Sequence, residues 1–433
     1  MAVTTPSSFR IPLGRAHLLG STVVREARRA GLGVEALTPV GGVRRFAPDI
    51  GDVALLGVAA TGEHARILRD FARLPIVTSV TAQSPCSVIA ETARGAITLH
   101  LATPDEAGAA LVWHTGSRRH VERLHGRASR FGLNLTGPRL TRDGGTPVLC
   151  SAEQDVYTQL ELPYIPPELR DGGDEIDAAE RGELPYLVSE LHIRGDLHMH
   201  STWSDGRNTI ADMVGASRQL GYEYVAITDH SERAMSSRKL AAADVPRQRQ
   251  EVDELRTRVR GIEVLHGIEV DILHDGSLDF DDEVLGGFDV VLASLHDHGG
   301  HDGARLTERY LRAIRHPLVN VITHPANRSP AMSDGYALDF DALFAAAADT
   351  GTALEVDGAP GHLDLDGAMA RRAAAAGVTL VIDSDCHRMD ALGRQMQFAV
   401  GTARRGWVEP QHVLNTRSIT EVRAFVARKR ARA

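Results

Sequence analysis

Residues 195–200 read GDLHMH and residues 222–230 read YEYVAITDH. Both are short apolar runs that close on histidine. Side chains of an extended chain alternate with period two, so His198 and His200 share one face. The pattern recurs downstream in IEVLHGIEVDIL (262–273), FDVVLASLH (288–296), VNVITH (319–324), ALEVDG (353–358) and TLVIDSDCH (379–387). Between these runs lie stretches such as IADMVGASRQLG (210–221) and FDALFAAAADTG (340–351), whose apolar spacing and terminal glycines predict helices with C-caps. Strand then helix, repeated, is the signature of a parallel α/β barrel. In such barrels the C-terminal ends of the strands converge on one mouth, which carries the chemistry.

Six of the seven runs end in, or carry near their end, a metal-ligand type of side chain. With the loop residue Asp205, the set is His198, His200, Asp205, His230, Glu269, His296, His324, Asp385 and His387. Imidazoles and carboxylates without cysteine suit Zn, Mn or Fe, and nine donors are enough for two or three divalent ions. Glu269 can bridge two cations, and His198, His200, Glu269 and Asp385 are the expected catalytic centre. A cluster of this kind activates water near neutral pH and clamps a transferring phosphoryl group, so phosphoester hydrolysis is the expected chemistry. A lone histidine is more often a core or surface residue than a ligand, and His266, His274, His298 and His301 lack the strand-end placement. Asp383 shares the inward face of Asp385 and is expected to support the ligands from behind. Cys386 points the other way, into the core.

The rest of the composition sets bounds. Of the 20 histidines, 13 lie between His192 and His387. A Gly- and acid-rich stretch, DGGDEIDAAERGELP (171–185), separates this half from the one before it. The net charge of −9 and pI near 6.1 argue against nucleic-acid binding by bulk charge, though not by a local basic strip. Three scattered cysteines give no disulfide framework. With no secretory leader and no apolar stretch long enough to span a bilayer, the expectation is a cytoplasmic protein without a membrane partner. The tail opens with a capping box, Ser418 to Glu421, and continues through Val422, Phe425 and Val426 as a short amphipathic helix. Its basic end, ARKRARA, is expected to be a solvated terminus.

These motifs, in this order, resemble the PHP (polymerase and histidinol phosphatase) superfamily. RGDLHMHSTWSDGRNTI (194–210) with GYEYVAITDHS (221–231) looks most like the PHP domain that ends bacterial family X DNA polymerases. All nine family ligand positions are filled. The resemblance implies a distorted seven-stranded (β/α) barrel over 190–433, a trinuclear site, and Mn- or Zn-dependent phosphoesterase activity of the kind that serves 3′-to-5′ exonuclease and 3′-end processing.

The resemblance extends upstream to a small α+β region. FRIPLGRA (9–16) and GGVRRFAPDIGDVALLGVA (41–59) resemble a polymerase palm, expected over 8–112. WHTGSRRHVERLHGRASRFGLNL (113–135) and ELPYIPPELRD (161–171) resemble its thumb, expected over 113–185. Because the palm-like stretch already opens at Phe9, the helix-hairpin-helix and fingers segments that precede such a palm are expected to be missing. Such a palm needs three aspartates to hold two Mg ions. This chain keeps Asp52 but has Ala54 at the second position and Thr98 at the third, so nucleotidyl transfer is expected to be absent.

The thumb-like helix carries Arg118, Arg119, Arg123, Arg127 and Arg130, which could meet phosphates or form a solvated face. Arg233, Arg328 and Arg388 closely follow ligand motifs and are candidate phosphate contacts. Three functions are compatible with these residues: a phosphoesterase acting on DNA 3′ ends, a phosphatase for a small phosphomonoester, and a non-catalytic relic that recognises ends. The intact ligand set weighs against the last, because buried donors without metal would destabilise the fold.

Overall fold

The computed structural model describes residues 10–431, and Phe9 and the last two residues of the basic tail lie outside them. The chain divides between Leu184 and Pro185 into two compact units. The palm-like and thumb-like segments fall together in the first.

In the first unit, five strands form one sheet: β1 (Ala36–Val40), β2 (Val53–Val58), β3 (Val77–Ser84), β4 (Ser87–Thr92) and β5 (Gly95–Ala102), in the order β1-β2-β5-β4-β3. Only the β2–β5 pair is parallel, and its register sets Ala54 directly opposite Thr98. Helix Leu13–Arg29 buries Leu13, Ala16, Leu19 and Val23, a spacing of three and four that lines one helix face. A three-stranded antiparallel sheet follows, β6 (Leu133–Gly137), β7 (Arg139–Arg142) and β8 (Pro147–Val148). Buried polar groups here are paired: Glu153 accepts from Arg44 and Arg170, and the His120 ring lies between Glu175 and the Tyr157 hydroxyl.

The basic helix Arg118–Ala128 is N-capped by Ser117. Arg118 pairs with Glu122, Arg123 with Asp177 and Arg127 with Glu180. Arg119 and Arg130 are exposed.

The second unit is a seven-stranded parallel barrel: β9 (Gly195–Asp196), β10 (Tyr224–Ile227), β11 (Glu263–Asp271), β12 (Val290–Ser294), β13 (Val321–Ile322), β14 (Ala353–Asp357) and β15 (Leu380–Asp383), paired in sequence order. A single parallel bridge, Met199 to Cys386, brings the first strand back to the last. Two strands are only two residues long, which gives the barrel its distortion. Alternate residues fill the interior, including Leu197, Tyr224, Ala226, Leu265, Leu292, Val321, Ala353 and Val381. The opposite faces pack under the surrounding helices.

Helix Ile419–Arg430 closes the N-terminal end of the barrel, with Val422, Phe425 and Val426 inserted against that interior. Ser418 caps it and Glu421 returns the bond, as the sequence predicts. Among the described residues its basic end is solvated only in part, with Arg428 exposed but Lys429 and Arg430 engaged, which departs from the expectation of a wholly solvated terminus. Lys429 is buried and donates to Ile314 O (2.6 Å) and Thr352 Oγ1 (2.7 Å), while Arg430 donates to Phe288 O. The two cations thus meet two carbonyls and one hydroxyl at this end, where helix C-termini and strand starts present acceptors. Among the described residues, no helix is long and apolar enough to cross a membrane.

Candidate metal centre

His198 and His200 continue β9 on an extended segment, and both rings turn into the barrel mouth with their Nε2 atoms 3.2 Å apart. Asp385 reaches the same point from beyond β15, its Oδ1 lying 3.1 Å from His200 Nε2 and 3.7 Å from His198 Nε2. Glu269, within β11, occupies the middle. Its Oε2 lies 2.8 Å from His230 Nδ1, 3.5 Å from His198 Nε2 and 3.7 Å from His200 Nε2. Its Oε1 lies 2.9 Å from His324 Nε2 and 3.8 Å from His296 Nε2. On the other flank, Asp205 Oδ1 is 3.2 Å from His387 Nε2 and 3.6 Å from His230 Nε2. All nine expected donors therefore converge on one site.

Three overlapping groups have the spacing for an ion: His198, His200 and Asp385; His230, Glu269 and His296; and His200, Asp205, His230 and His387. The donor chemistry fits such ions. Asp205 Oδ1, His230 Nδ1 and Glu269 Oε2 are buried, each beside another donor atom, yet none makes a bond of hydrogen-bond geometry. Buried donors set side by side without hydrogen bonds are what coordination requires. The electrostatics agree. Burial drives the Glu269 carboxyl toward its neutral form, but His230 and His198 reverse this and hold it well below its ordinary range. Burial likewise opposes charge on His324, and Glu269 and Glu355 overcome it to lift that ring to about 9. On His200, burial and the neighbouring His387 and His230 outweigh Asp385, and the ring drops to about 3.

The groups behind the donors fix their orientation. His198 Nδ1 donates to Glu355 Oε1 at 2.6 Å, which leaves Nε2 as the ring's free lone pair, and Glu355 Oε2 accepts the His324 amide at 2.7 Å. Asp271 contacts His296 Nδ1 at 3.1 Å. Buried Asp229 accepts from the backbone and hydroxyls of Ser201 and Ser204 and from Gln248, which pins the loop that presents Asp205. Gly206 lets that loop lie directly on the His198–His200 segment, since a Cβ there would sit 2.6 Å from the His200 carbonyl. Asp383 accepts the Leu197 amide at 2.8 Å, tying β15 to the histidine pair. His324 and Asp385 both adopt left-handed backbone, φ 27° and 47°, so strain collects at the donors.

Three residues near the site were not singled out from sequence. Glu355 stands two positions before Asp357, and the same alternation that turns Asp357 inward would have found it. Asp271 follows Glu269 by the same rule. His362 stacks on His324 with ring centroids 4.9 Å apart, and its Nδ1 is buried without a partner. It sits in an irregular loop, where no period gives a signal. Asp357 is fully buried, and burial together with Asp385 and Glu355 raises its pKa well above the usual carboxylate range.

None of the remaining candidates belongs to the three donor groups. Arg233 pairs with Asp279, Arg328 with Asp366, and Arg388 with Asp390. His266 bonds Gln248 and His274 bonds Asp297, while Cys386 is buried. In the first unit, Asp52 is exposed ahead of β2, and Ala54 is buried opposite Thr98.

The DNA polymerase beta thumb model matches residues 110–171, and the PHP domain model matches residues 196–330. The DNA polymerase/3′-5′ exonuclease PolX of Bacillus subtilis (strain 168) is 34% identical over 392 residues, covering 90% of this chain and 68% of that protein. A probable phosphatase of Shewanella oneidensis is 34% identical over 210 residues, 46% of this chain and 78% of its own length. One of Syntrophotalea carbinolica is 27% identical over 239 residues, 53% and 94% respectively. Thumb, barrel and a match along nine-tenths of its length together mean that the chain belongs to the PHP-bearing family X DNA polymerases, as a metal-dependent phosphoesterase.

Proposed function

We propose that the barrel hydrolyses phosphodiesters at DNA 3′ ends, as a 3′-to-5′ exonuclease or end-processing activity, and that the chain performs no nucleotidyl transfer. The convergence of nine donors on one mouth supports this reading. The proposed ligand sets are His198, His200, Glu269 and Asp385; Glu269, His296 and His324; and Asp205, His230 and His387. Mn, Zn and Fe suit these nitrogen and oxygen donors. Bound there, divalent cations supply charge against a phosphoryl group and make water acidic enough to attack near neutral pH.

The chain's own residues hold that arrangement. Glu269 has Oε2 toward His198 and His200 and Oε1 toward His324 and His296, which would suit it to bridge. Glu355 and Asp271 fix the tautomers of His198 and His296. Asp229 prevents the Asp205 loop from moving away. Arg328, whose side chain is mostly buried, is the best held of the three arginines proposed to meet substrate phosphate, ahead of Arg233 and Arg388.

A small-molecule phosphomonoesterase is the second reading. The relatives named probable phosphatases match only about half of this chain, and carboxylates offset most of the thumb-like arginines. The two readings separate when Mn-loaded protein is given a 5′-labelled gapped oligonucleotide and, separately, a small phosphomonoester. Stepwise shortening of the strand supports the first. Monoester turnover with an intact strand replaces it with the second.

A further inference from the structure

Three methionines stand exposed at the barrel mouth. Met235 is 73% exposed, Met332 86% and Met389 46%. Each lies on a loop leaving a ligand-bearing strand: Met235 follows His230, Met332 follows His324 and Met389 follows His387. These loops belong to β10, β13 and β15, two or three strands apart around a ring of seven, so the methionines encircle the mouth instead of forming one patch. The only other large hydrophobics exposed in this unit are Tyr186, Leu191 and Leu220 among the described residues, and none of them is on a loop that follows a ligand.

The loops hold their methionines outward. The Leu240 amide returns to the His230 carbonyl at 2.8 Å, closing the loop that carries Met235. Ser329 and Ser333 bond each other in both directions beneath Met332, with Ala331 left-handed at φ 63°. The Met389 amide donates to Asn208 Oδ1 at 3.1 Å. An arginine precedes each methionine within four residues, but Arg233, Arg328 and Arg388 are each matched by a carboxylate. The rim therefore offers soft, polarisable contact more than net charge.

We infer that this methionine ring packs against the faces of unpaired nucleobases at the end of a DNA strand whose terminal phosphodiester lies over the donor cluster. The inference rests on the DNA-end reading above. Thioether side chains adapt to irregular apolar faces, and every base presents one, so the contact is tolerant of sequence. A small monoester seated at the donors is too short to reach three loops spread around the rim.

The test uses the full-length Mn-loaded protein and a triple variant, Met235→Ser, Met332→Ser, Met389→Ser. The substrates are a single-stranded oligonucleotide, the same strand with abasic residues at its 3′ end, and bis-p-nitrophenyl phosphate. The parent is expected to show a KM for the normal strand roughly tenfold below that for the abasic strand. The variant should lose this difference by rising to the abasic value, with unchanged turnover of the small diester and an unchanged thermal midpoint. Equal KM values for parent and variant on the normal strand would overturn the methionine contact alone. Failure of the parent to shorten either strand while it cleaves the small diester would overturn the DNA-end reading, and the inference with it.

Discussion

The barrel mouth and the parallel strand pair β2–β5 are two places in one chain where carboxylates are expected to hold metal, and they differ in what surrounds them. At the mouth, His198, His200 and Glu269 are wholly inaccessible to solvent and bonded into a network with Glu355, Asp229 and Asp383 behind them. Removing one donor there leaves others buried and unpaired, at a cost of several kcal/mol. In the palm-like sheet, Ala54 has joined a small apolar core with Val40, Leu56, Ala102 and Ala110. A methyl group there completes the packing, and Asp52 remains exposed at the strand start. We read Ala54 as a former polymerase position now closed by apolar packing, whereas at the mouth the loss of one donor would strand its buried neighbours.

The contrast breaks most visibly if the mouth tolerates loss of donors. His198→Ala with His200→Ala should lower phosphoester hydrolysis by at least about a thousandfold and reduce bound metal per chain, read by kinetics and elemental analysis. Near-normal turnover with a full metal complement would remove the distinction between the two regions.

Restoring carboxylate to the sealed position is the complementary change. Ala54→Asp should destabilise the first unit by about 3 kcal/mol in denaturant unfolding, because the charge enters an apolar core without a partner. Even combined with Thr98→Asp, it should yield no primer extension. A stable double variant that extends a primer would mean that the site is merely unloaded, not closed.

The supporting groups give an intermediate effect. Glu355→Gln keeps the shape but loses the anion that fixes His198, so metal affinity should fall about 10–100-fold in a competitive chelator titration. An unchanged affinity would reduce Glu355 to packing.

The smallest expected effect concerns acid stability in the first unit. Burial pushes the Glu153 carboxyl up, but Arg44 and Arg170 more than reverse it and hold it at about 2, against an ordinary value of 4.5. Since the folded value is the lower one, its stabilisation is complete above pH 4.5 and fades as the pH falls toward 2. The thermal midpoint of the first unit should fall by several degrees across that window. Glu153→Gln should flatten the decline, and an equally steep decline in that variant would assign it to other groups.

The barrel was legible because two periodicities coincide in it. Alternation within each run and the ligand at its end together gave the seven strands and the residues His198, His200, His230, Glu269, His296, His324, Asp385 and His387 that converge in the structure. Asp205 was found from its place just after the first motif. What stayed hidden depends on contacts distant in sequence. Arg233 meets Asp279 and Arg328 meets Asp366, pairings that no local pattern announces. Lys429 reads as a surface cation until the carbonyl of Ile314 and the hydroxyl of Thr352 are seen beside it. In the palm-like half, Ala54 and Thr98 are read where a palm is expected to carry carboxylates, but that they stand directly opposite across β2 and β5 required the sheet.

The most direct measurement combines both regions in one reaction: Mn-loaded protein with a 5′-labelled primer across a gap and all four deoxynucleoside triphosphates. Shorter products alone, abolished by His198→Ala with His200→Ala, are expected from a working mouth and a closed palm. Products longer than the primer, or shortening that survives the double substitution, would contradict that division of the molecule.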